Sequence, residues 1–130
     1  MKNFFLVLLT SFLLLLFNSC KKTNSDLTGQ WQWSYSRGGV ATTTIKPGAN
    51  EKDILVINSD SSYNWMTYGT ITSNGRYSIT FDTTYGRIIH FIPAFLGDPN
   101  GEIYTIQNKQ LVLRDYMVSD GFTHYFDRVK

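Results

Sequence analysis

The chain has 130 residues, with 12 Lys and Arg against 10 Asp and Glu, so its formal net charge at pH 7 is only +2. This length fits one ordinary domain, and the mixed charges without a basic stripe argue against a nucleic-acid-binding protein. The single cysteine excludes an intrachain disulfide. Aromatic residues make up 15% of the chain and there are only three prolines, a composition that favours strands.

The N-terminal segment has the layout of an export signal. Residues 4–17 read FFLVLLTSFLLLLF, and Lys2 precedes them. As a helix this run would be about 21 Å long, which is too short for a hydrocarbon core of about 30 Å. We therefore predict that residues 1–19 are a signal peptide that is removed from the mature protein.

The only cysteine lies where the apolar run ends. The stretch FNSC, ending at Cys20, resembles the lipobox of bacterial lipoproteins, with Phe17 and Asn18 in place of the family's usual Leu and small residue. The resemblance implies a diacylglycerol on the Cys20 sulfur and a further acyl chain such as palmitate on its amine, which together anchor a protein stably. Residues 20–26 would then be the lipidated cysteine and a polar tether. The alternative is secretion with a free, unmodified thiol.

The residue after the cysteine bears on location. In the lipoprotein family an Asp at this position retains the protein at the inner membrane, whereas this chain has Lys21. The resemblance therefore favours the outer membrane of a Gram-negative envelope. The residues leave open whether the domain faces the periplasm or the cell surface.

The first predicted strands alternate or are continuously apolar. In residues 27–35, LTGQWQWSY, Leu27, Trp31, Trp33 and Tyr35 share one face and polar residues occupy the other. Gly38-Gly39 interrupts this run. Further strands are predicted at residues 40–45, 53–58 and 63–72.

The second half of the chain continues the series. Asn74-Gly75 predicts a tight hairpin, because a type I′ turn needs positive φ at both central positions. The remaining strands are predicted at residues 76–82, 86–92, 102–107, 110–118 and 122–129, with turns at 108–109 and 120–121. Such spacing without an amphipathic helix predicts that residues 27–130 form one small all-β domain, an antiparallel up-and-down β-barrel of about eight strands, with a sandwich as the alternative.

A family resemblance supports the barrel. Gly29-Gln30-Trp31, near the start of the first strand, resembles the G-x-W signature of lipocalins and related calycin barrels. The mature chain as a whole resembles the lipocalin-like domains of bacterial lipoproteins through this opening, the hairpin at residues 60–63 and Arg128 near its end. The resemblance implies that Arg128 packs across Trp31 and, with Gly29, closes one end of the barrel. A planar guanidinium over an indole ring is also favoured physically.

Alternation predicts which aromatic side chains face the barrel interior. The inward set is Trp31, Trp33, Tyr35, Tyr63, Trp65, Tyr77, Phe81, Phe91, Phe122 and Phe126. Trp31 and Phe126, nearest the Gly29 end, are assigned to a packed core. The candidate lining of a ligand cavity is Trp33, Tyr35, Tyr63, Trp65, Tyr77 and Phe91.

Signals for catalysis or metal binding are weak. His90 and His124 lack the spacing of a metal site, and residues 98–102 match only part of a calcium loop, so we predict no metal and no cofactor. No nucleophile or phosphate-binding motif is present in the sequence, so we expect no catalytic residues and no enzyme. Two or more titratable groups converging in one cleft would argue otherwise.

These observations predict a lipid-anchored envelope module that binds a small apolar ligand inside its barrel. The alternative is a solid barrel whose loops bind a protein or glycan partner, as an inhibitor or as part of an envelope assembly. An internal cavity would distinguish the two.

Overall fold

The computed structural model describes residues 26–130, and this part of the chain contains nine β-strands and no helix. The strands are β1 (Gly29–Gly38), β2 (Thr43–Ile45), β3 (Asp53–Ile57), β4 (Ser62–Thr67), β5 (Thr70–Asp82), β6 (Gly86–Ile92), β7 (Glu102–Gln107), β8 (Gln110–Asp115) and β9 (Phe122–Arg128). Consequently, nothing in this part is a helix long and apolar enough to cross a membrane. The predicted signal peptide, Cys20 and the tether up to Ser25 lie outside the described residues.

Eight of the strands close into an antiparallel barrel. From β3 to β9, strands that follow each other in the chain pair with each other, and β1 pairs with β3 on one side and with β9 on the other. The ninth, β2, is three residues long and pairs only with the end of β1. This confirms the predicted all-β, up-and-down barrel. Closure pairs both edges of the sheet, which protects aromatic-rich strands from associating with other chains.

The hairpin predicted at Asn74-Gly75 is wrong. The chain turns at Tyr68-Gly69, where φ is 52° and 79°, the positive values that a type I′ turn requires. Asn74 and Gly75 instead lie inside β5 and pair with β4.

Gly75 is needed for a close approach between strands. A Cβ atom at this position would lie 2.1 Å from the carbonyl oxygen of Ile92 and 2.9 Å from Cδ of Pro93. Glycine within a strand often marks such an approach. The sequence pattern therefore indicated that Gly75 has a structural role, but this role is the close approach of two strands and not a turn.

A β-bulge in β1 changes which side chains face inward. The register against β9 shifts between Trp33 and Tyr35, so Ser34 is an extra residue and the alternation reverses beyond it. Tyr35 stacks on Tyr125, with ring centroids 4.3 Å apart, whereas Ser36 is buried and accepts a hydrogen bond from Trp33 Nε1 at 2.9 Å. The predicted inward position of Tyr35 is therefore wrong.

The prediction that Phe81 faces inward is also wrong, because its side chain is 73% exposed. β4 pairs with β5 only as far as Arg76, whereas β6 pairs with it through Asp82. The end of β5 therefore extends beyond β4 with a single neighbouring strand. No barrel wall encloses the Phe81 ring there.

The interior is packed with apolar side chains. The most deeply buried are Leu27, Trp31, Leu55, Ile57, Tyr63, Ile89, Leu111, Leu113 and Phe126. The connection between β6 and β7 adds Phe95, whose ring centroid lies 4.7 Å from Phe91, 5.0 Å from Trp65 and 5.3 Å from Tyr63. This aromatic cluster fills the space between β4 and β6.

Candidate functional site

One end of the barrel is closed by an aromatic and cationic contact. Trp31 is fully buried, and the guanidinium carbon of Arg128 lies 4.2 Å from its ring centroid. Arg128 Nη1 donates to the carbonyl of Thr28 at 3.1 Å, and Nη2 donates to that of Asp26. Trp31 Nε1 donates to the carbonyl of Leu27 at 2.7 Å. The space around Trp31 and Arg128 is therefore filled and hydrogen-bonded.

Gly29 belongs to the same contact. Its φ is +134°, and a Cβ atom there would lie 2.9 Å from Arg128 Nη1. A side chain at this position would be strained in its backbone and would push the guanidinium away from Trp31. The structure therefore brings together Gly29, Trp31 and Arg128, the three residues that the family resemblance assigns to closure.

The other end of β1 borders an open pocket of about 280 Å³. Ser36, in its wall, is five residues from Trp31, or about 17 Å along a strand. The lining consists of Trp33, Ser36, Ile45, Asp53, Trp65, Leu96, Phe122 and His124. The volume lies at the lower limit of ligand pockets, which begins at about 300 Å³.

Only part of the predicted cavity lining reaches this pocket. Trp33 and Trp65 do, whereas Tyr63, Tyr77 and Phe91 belong to the packed core. Phe122, which was predicted to face inward, also lines the pocket.

The pocket also contains residues that the sequence analysis missed. They are Ser36, Ile45, Asp53, Leu96 and His124. Asp53 carried a usable signal, because it begins the apolar strand DILVI in phase with buried Leu55 and Ile57.

A chain of polar contacts runs along one wall of the pocket. Ser36 Oγ accepts from Trp33 Nε1 and lies 2.7 Å from His124 Nδ1. Burial lowers the pKa of His124, and the nearby charge of Asp115 opposes this shift. At neutral pH His124 is therefore uncharged, and in the tautomer with an unprotonated Nδ1 this nitrogen accepts a hydrogen bond from the Ser36 hydroxyl.

Two titratable groups, Asp53 and His124, thus meet at one pocket, which is a condition for an enzyme. The contact between Ser36, His124 and Asp115 nevertheless differs from an activated serine. Ser36 is only 3% exposed, and His124 Nε2 lies 3.7 Å from Asp115 Oδ1, beyond hydrogen-bond range. Within the part of the chain that the structure describes, no carboxylate therefore holds the imidazole in the orientation of a general base.

Asp53 is a polar residue of the pocket whose hydrogen bonding is incomplete. It is 7% exposed, and its Oδ1 has no hydrogen-bond partner within the described part of the chain. None of the residues that line the pocket is Lys or Arg. A buried carboxylate oxygen without a partner is costly, so a hydrogen-bond donor that reached the Asp53 carboxylate would be favoured.

A second acidic residue is buried in β7, outside the pocket lining. Glu102 is 1% exposed, and both of its carboxyl oxygens lack hydrogen-bond partners among the described residues. Burial, followed by the charges of Asp98 and Asp115, raises the pKa of Glu102 to about 8. Glu102 therefore carries a proton at neutral pH, which lets it lie directly opposite Asp115 on the neighbouring strand.

Two further cavities lie outside this pocket. An outer groove of about 550 Å³ includes Met117 and Val118 from the connection between β8 and β9. A cleft of about 330 Å³ is lined by Asp26, Arg87 of β6 and residues 104–107 of β7. The cleft arises because β6 and β7 share only two residue pairs.

The two histidines have different partners. His90 Nε2 lies 2.9 Å from Thr80 Oγ1, whereas His124 faces the pocket. Among residues 26–130, no group of three or more His, Cys, Asp or Glu side chains is placed to hold a metal ion. Comparisons of the chain with protein families, curated proteins and solved structures gave no match.

Proposed function

We propose that this protein is a lipid-anchored, lipocalin-like envelope module that binds a small, mainly apolar ligand at the open end of its barrel. The observation that carries the proposal is the pocket of about 280 Å³, in which five apolar side chains surround Ser36, Asp53 and His124. Ligand pockets typically combine an apolar lining with a few polar groups that orient the ligand.

The pocket limits the size of what enters it. At about 30 Å³ per non-hydrogen atom, the share of a water molecule in the liquid, it accommodates about ten such atoms. Phe95 and Leu96 pack against the core, so the interior offers no deep channel for a long acyl chain. The ligand is therefore a small molecule, or a larger one that inserts one end.

A blocked pocket tests this proposal. Ile45 lines the pocket and is 46% exposed, so Ile45→Trp should fill the opening with little effect on the core. We expect this variant to bind the neutral probe 2-phenylethanol at least about tenfold more weakly than the wild type. The measurement is isothermal titration of the full chain in phosphatidylcholine nanodiscs, with empty nanodiscs subtracted.

The matched control for this test is Ile71→Trp. Ile71 is 51% exposed and lies in β5, away from the pocket lining. The Ile71→Trp variant should bind 2-phenylethanol with the affinity of the wild type. Equal affinity of the two Trp variants, or no binding by the wild type, would contradict the proposed site.

The outer groove supports a second candidate, the binding of a protein or glycan partner by the loops. Met117 is 74% exposed and Val118 is 45% exposed, and both line the groove of about 550 Å³. Exposed apolar side chains around a groove are typical of interaction surfaces. If the open-end pocket binds no probe, this groove is the next site to test, with Met117→Glu as the disrupting change.

The anchor makes a separate prediction. Cys20→Ala should abolish lipid attachment, because the sulfur that receives the diacylglycerol is absent. In a Gram-negative host fed a labelled fatty acid, we expect the wild type to be labelled and sedimented with membranes, and the variant to be neither. A variant that remains in the membrane fraction and is processed at the same position would show that residues 17–20 are not a lipobox.

A further inference from the structure

We infer that the ligand is a small organic cation, an amine whose positive charge pairs with Asp53 while its apolar body lies beside Trp33 and Trp65. This inference rests on the proposed function, since it assigns a chemical class to the ligand of the same pocket. It goes beyond that function by assigning a charge to the ligand.

The first argument is the state of the Asp53 carboxylate. Its Oδ1 is buried without a partner among residues 26–130, and its neighbour in the chain, Lys52, is exposed. Lys52 precedes β3 and is not among the residues that line the pocket. An ionised, buried carboxylate is costly unless a cation and hydrogen bonds compensate it. A protonated amine supplies both.

The second argument is the charge of the remaining lining. Arg and Lys are absent from the lining residues, and His124 is uncharged at neutral pH because burial lowers its pKa. Asp115, 3.7 Å from His124 Nε2, adds another carboxylate behind the wall. A ligand carboxylate or phosphate would therefore meet negative charge with no cation to offset it, and the pocket selects against anions.

The third argument is the aromatic lining. Trp33 and Trp65 both border the pocket, and an indole face attracts a cation more strongly than other aromatic rings do. Trp33 Nε1 is already bonded to Ser36 Oγ, so this indole offers the ligand its ring and not its N–H. Two indoles and one carboxylate form a site for an ammonium group with an apolar substituent.

Three probes of matched shape test the charge. The full chain in phosphatidylcholine nanodiscs is titrated with 2-phenylethylamine, 2-phenylethanol and phenylacetate at pH 7, with empty nanodiscs as the blank. We expect the amine to bind at least about tenfold more tightly than the alcohol, and the alcohol to bind more tightly than phenylacetate.

Asp53→Asn then assigns the charge to one residue. The variant should bind the amine no more tightly than the alcohol, and urea unfolding of the variant should show that it still folds. Asp120→Asn, which removes an exposed carboxylate outside the pocket lining, should keep the wild-type preference. Retention of the amine preference by Asp53→Asn would overturn the assignment.

The outcomes separate this inference from the proposed function. Equal affinities for amine and alcohol would overturn the inference while leaving the apolar pocket in place. Absence of binding by all three probes would overturn both. If Asp53→Asn does not fold, the order of affinities in the wild type decides alone, since equal or reversed affinities contradict a cation site.

Discussion

Replacement of Trp31 by Ala should lower the free energy of unfolding by about 3–5 kcal/mol, the usual cost of truncating a fully buried large aromatic side chain. Trp31 has no exposed surface, its Nε1 bonds the Leu27 carbonyl, and its ring lies under Arg128. The substitution removes all three interactions and leaves a cavity at the closed end. Urea unfolding, followed by circular dichroism, measures the loss.

The control is Phe81→Ala. Phe81 is 73% exposed, so its truncation should change the free energy of unfolding by less than about 0.5 kcal/mol, as is usual for surface substitutions. A loss below about 1 kcal/mol for Trp31→Ala would contradict the role of this end as the principal closure of the core.

Glu102→Gln should remove most of a large pH dependence of stability. The pKa of Glu102 is raised from 4.5 to about 8 in the folded protein, so the native state binds more protons than the unfolded chain between these values. The stabilising effect of the protonated form is complete below pH 4.5 and is lost as the pH rises through 8. At about 1.4 kcal/mol per unit of pKa shift, the wild type loses several kcal/mol across this range.

The variant has no proton to lose at this position. Its stability relative to the wild type should therefore rise between pH 5 and pH 8 and level off above, as measured by urea unfolding at several pH values. The lowered pKa of His124 acts in the opposite direction, because it reduces stability as the pH falls below 6.5. It affects both proteins equally and cancels in their difference.

Glu51→Gln is the matched control, since Glu51 is the only other glutamate in the chain and lies near the surface. Its stability should run parallel to that of the wild type over the whole range. A Glu102→Gln curve parallel to the wild type between pH 5 and pH 8 would show that Glu102 is ionised in the folded protein.

Local patterns were sufficient to predict the all-β class, the antiparallel order and most of the strands, though not the boundary between β4 and β5. The turn at Asn108-Lys109, for example, was predicted from the sequence and has φ of 50° and 65° at these residues. Alternation also assigned Trp31 and Phe126 to the core correctly, because both lie on the Gly29 side of the bulge at Ser34.

The errors arise where distant parts of the chain decide the local conformation. Asn74-Gly75 has the local sequence of a turn, but glycine is needed at position 75 because the backbone of Ile92 lies too close for a side chain. The bulge at Ser34 depends on the register with β9, about ninety residues away, and it determines that Ser36 and not Tyr35 faces the pocket. The site was therefore predicted only in part, as Trp33 and Trp65, because its polar groups depend on closure of the barrel.

The short pairing between β6 and β7 has a consequence for motion. Only Ile88 with Ile103 and Ile89 with Glu102 pair across this joint, and a structure opens locally where the fewest interactions resist. The amides at this joint should exchange with solvent sooner than those between β1 and β9. Glu102 is one of the residues that pair between β6 and β7, so its ionisation above pH 8 would destabilise this pairing. We therefore expect β6 and β7 to separate before either end of the barrel opens.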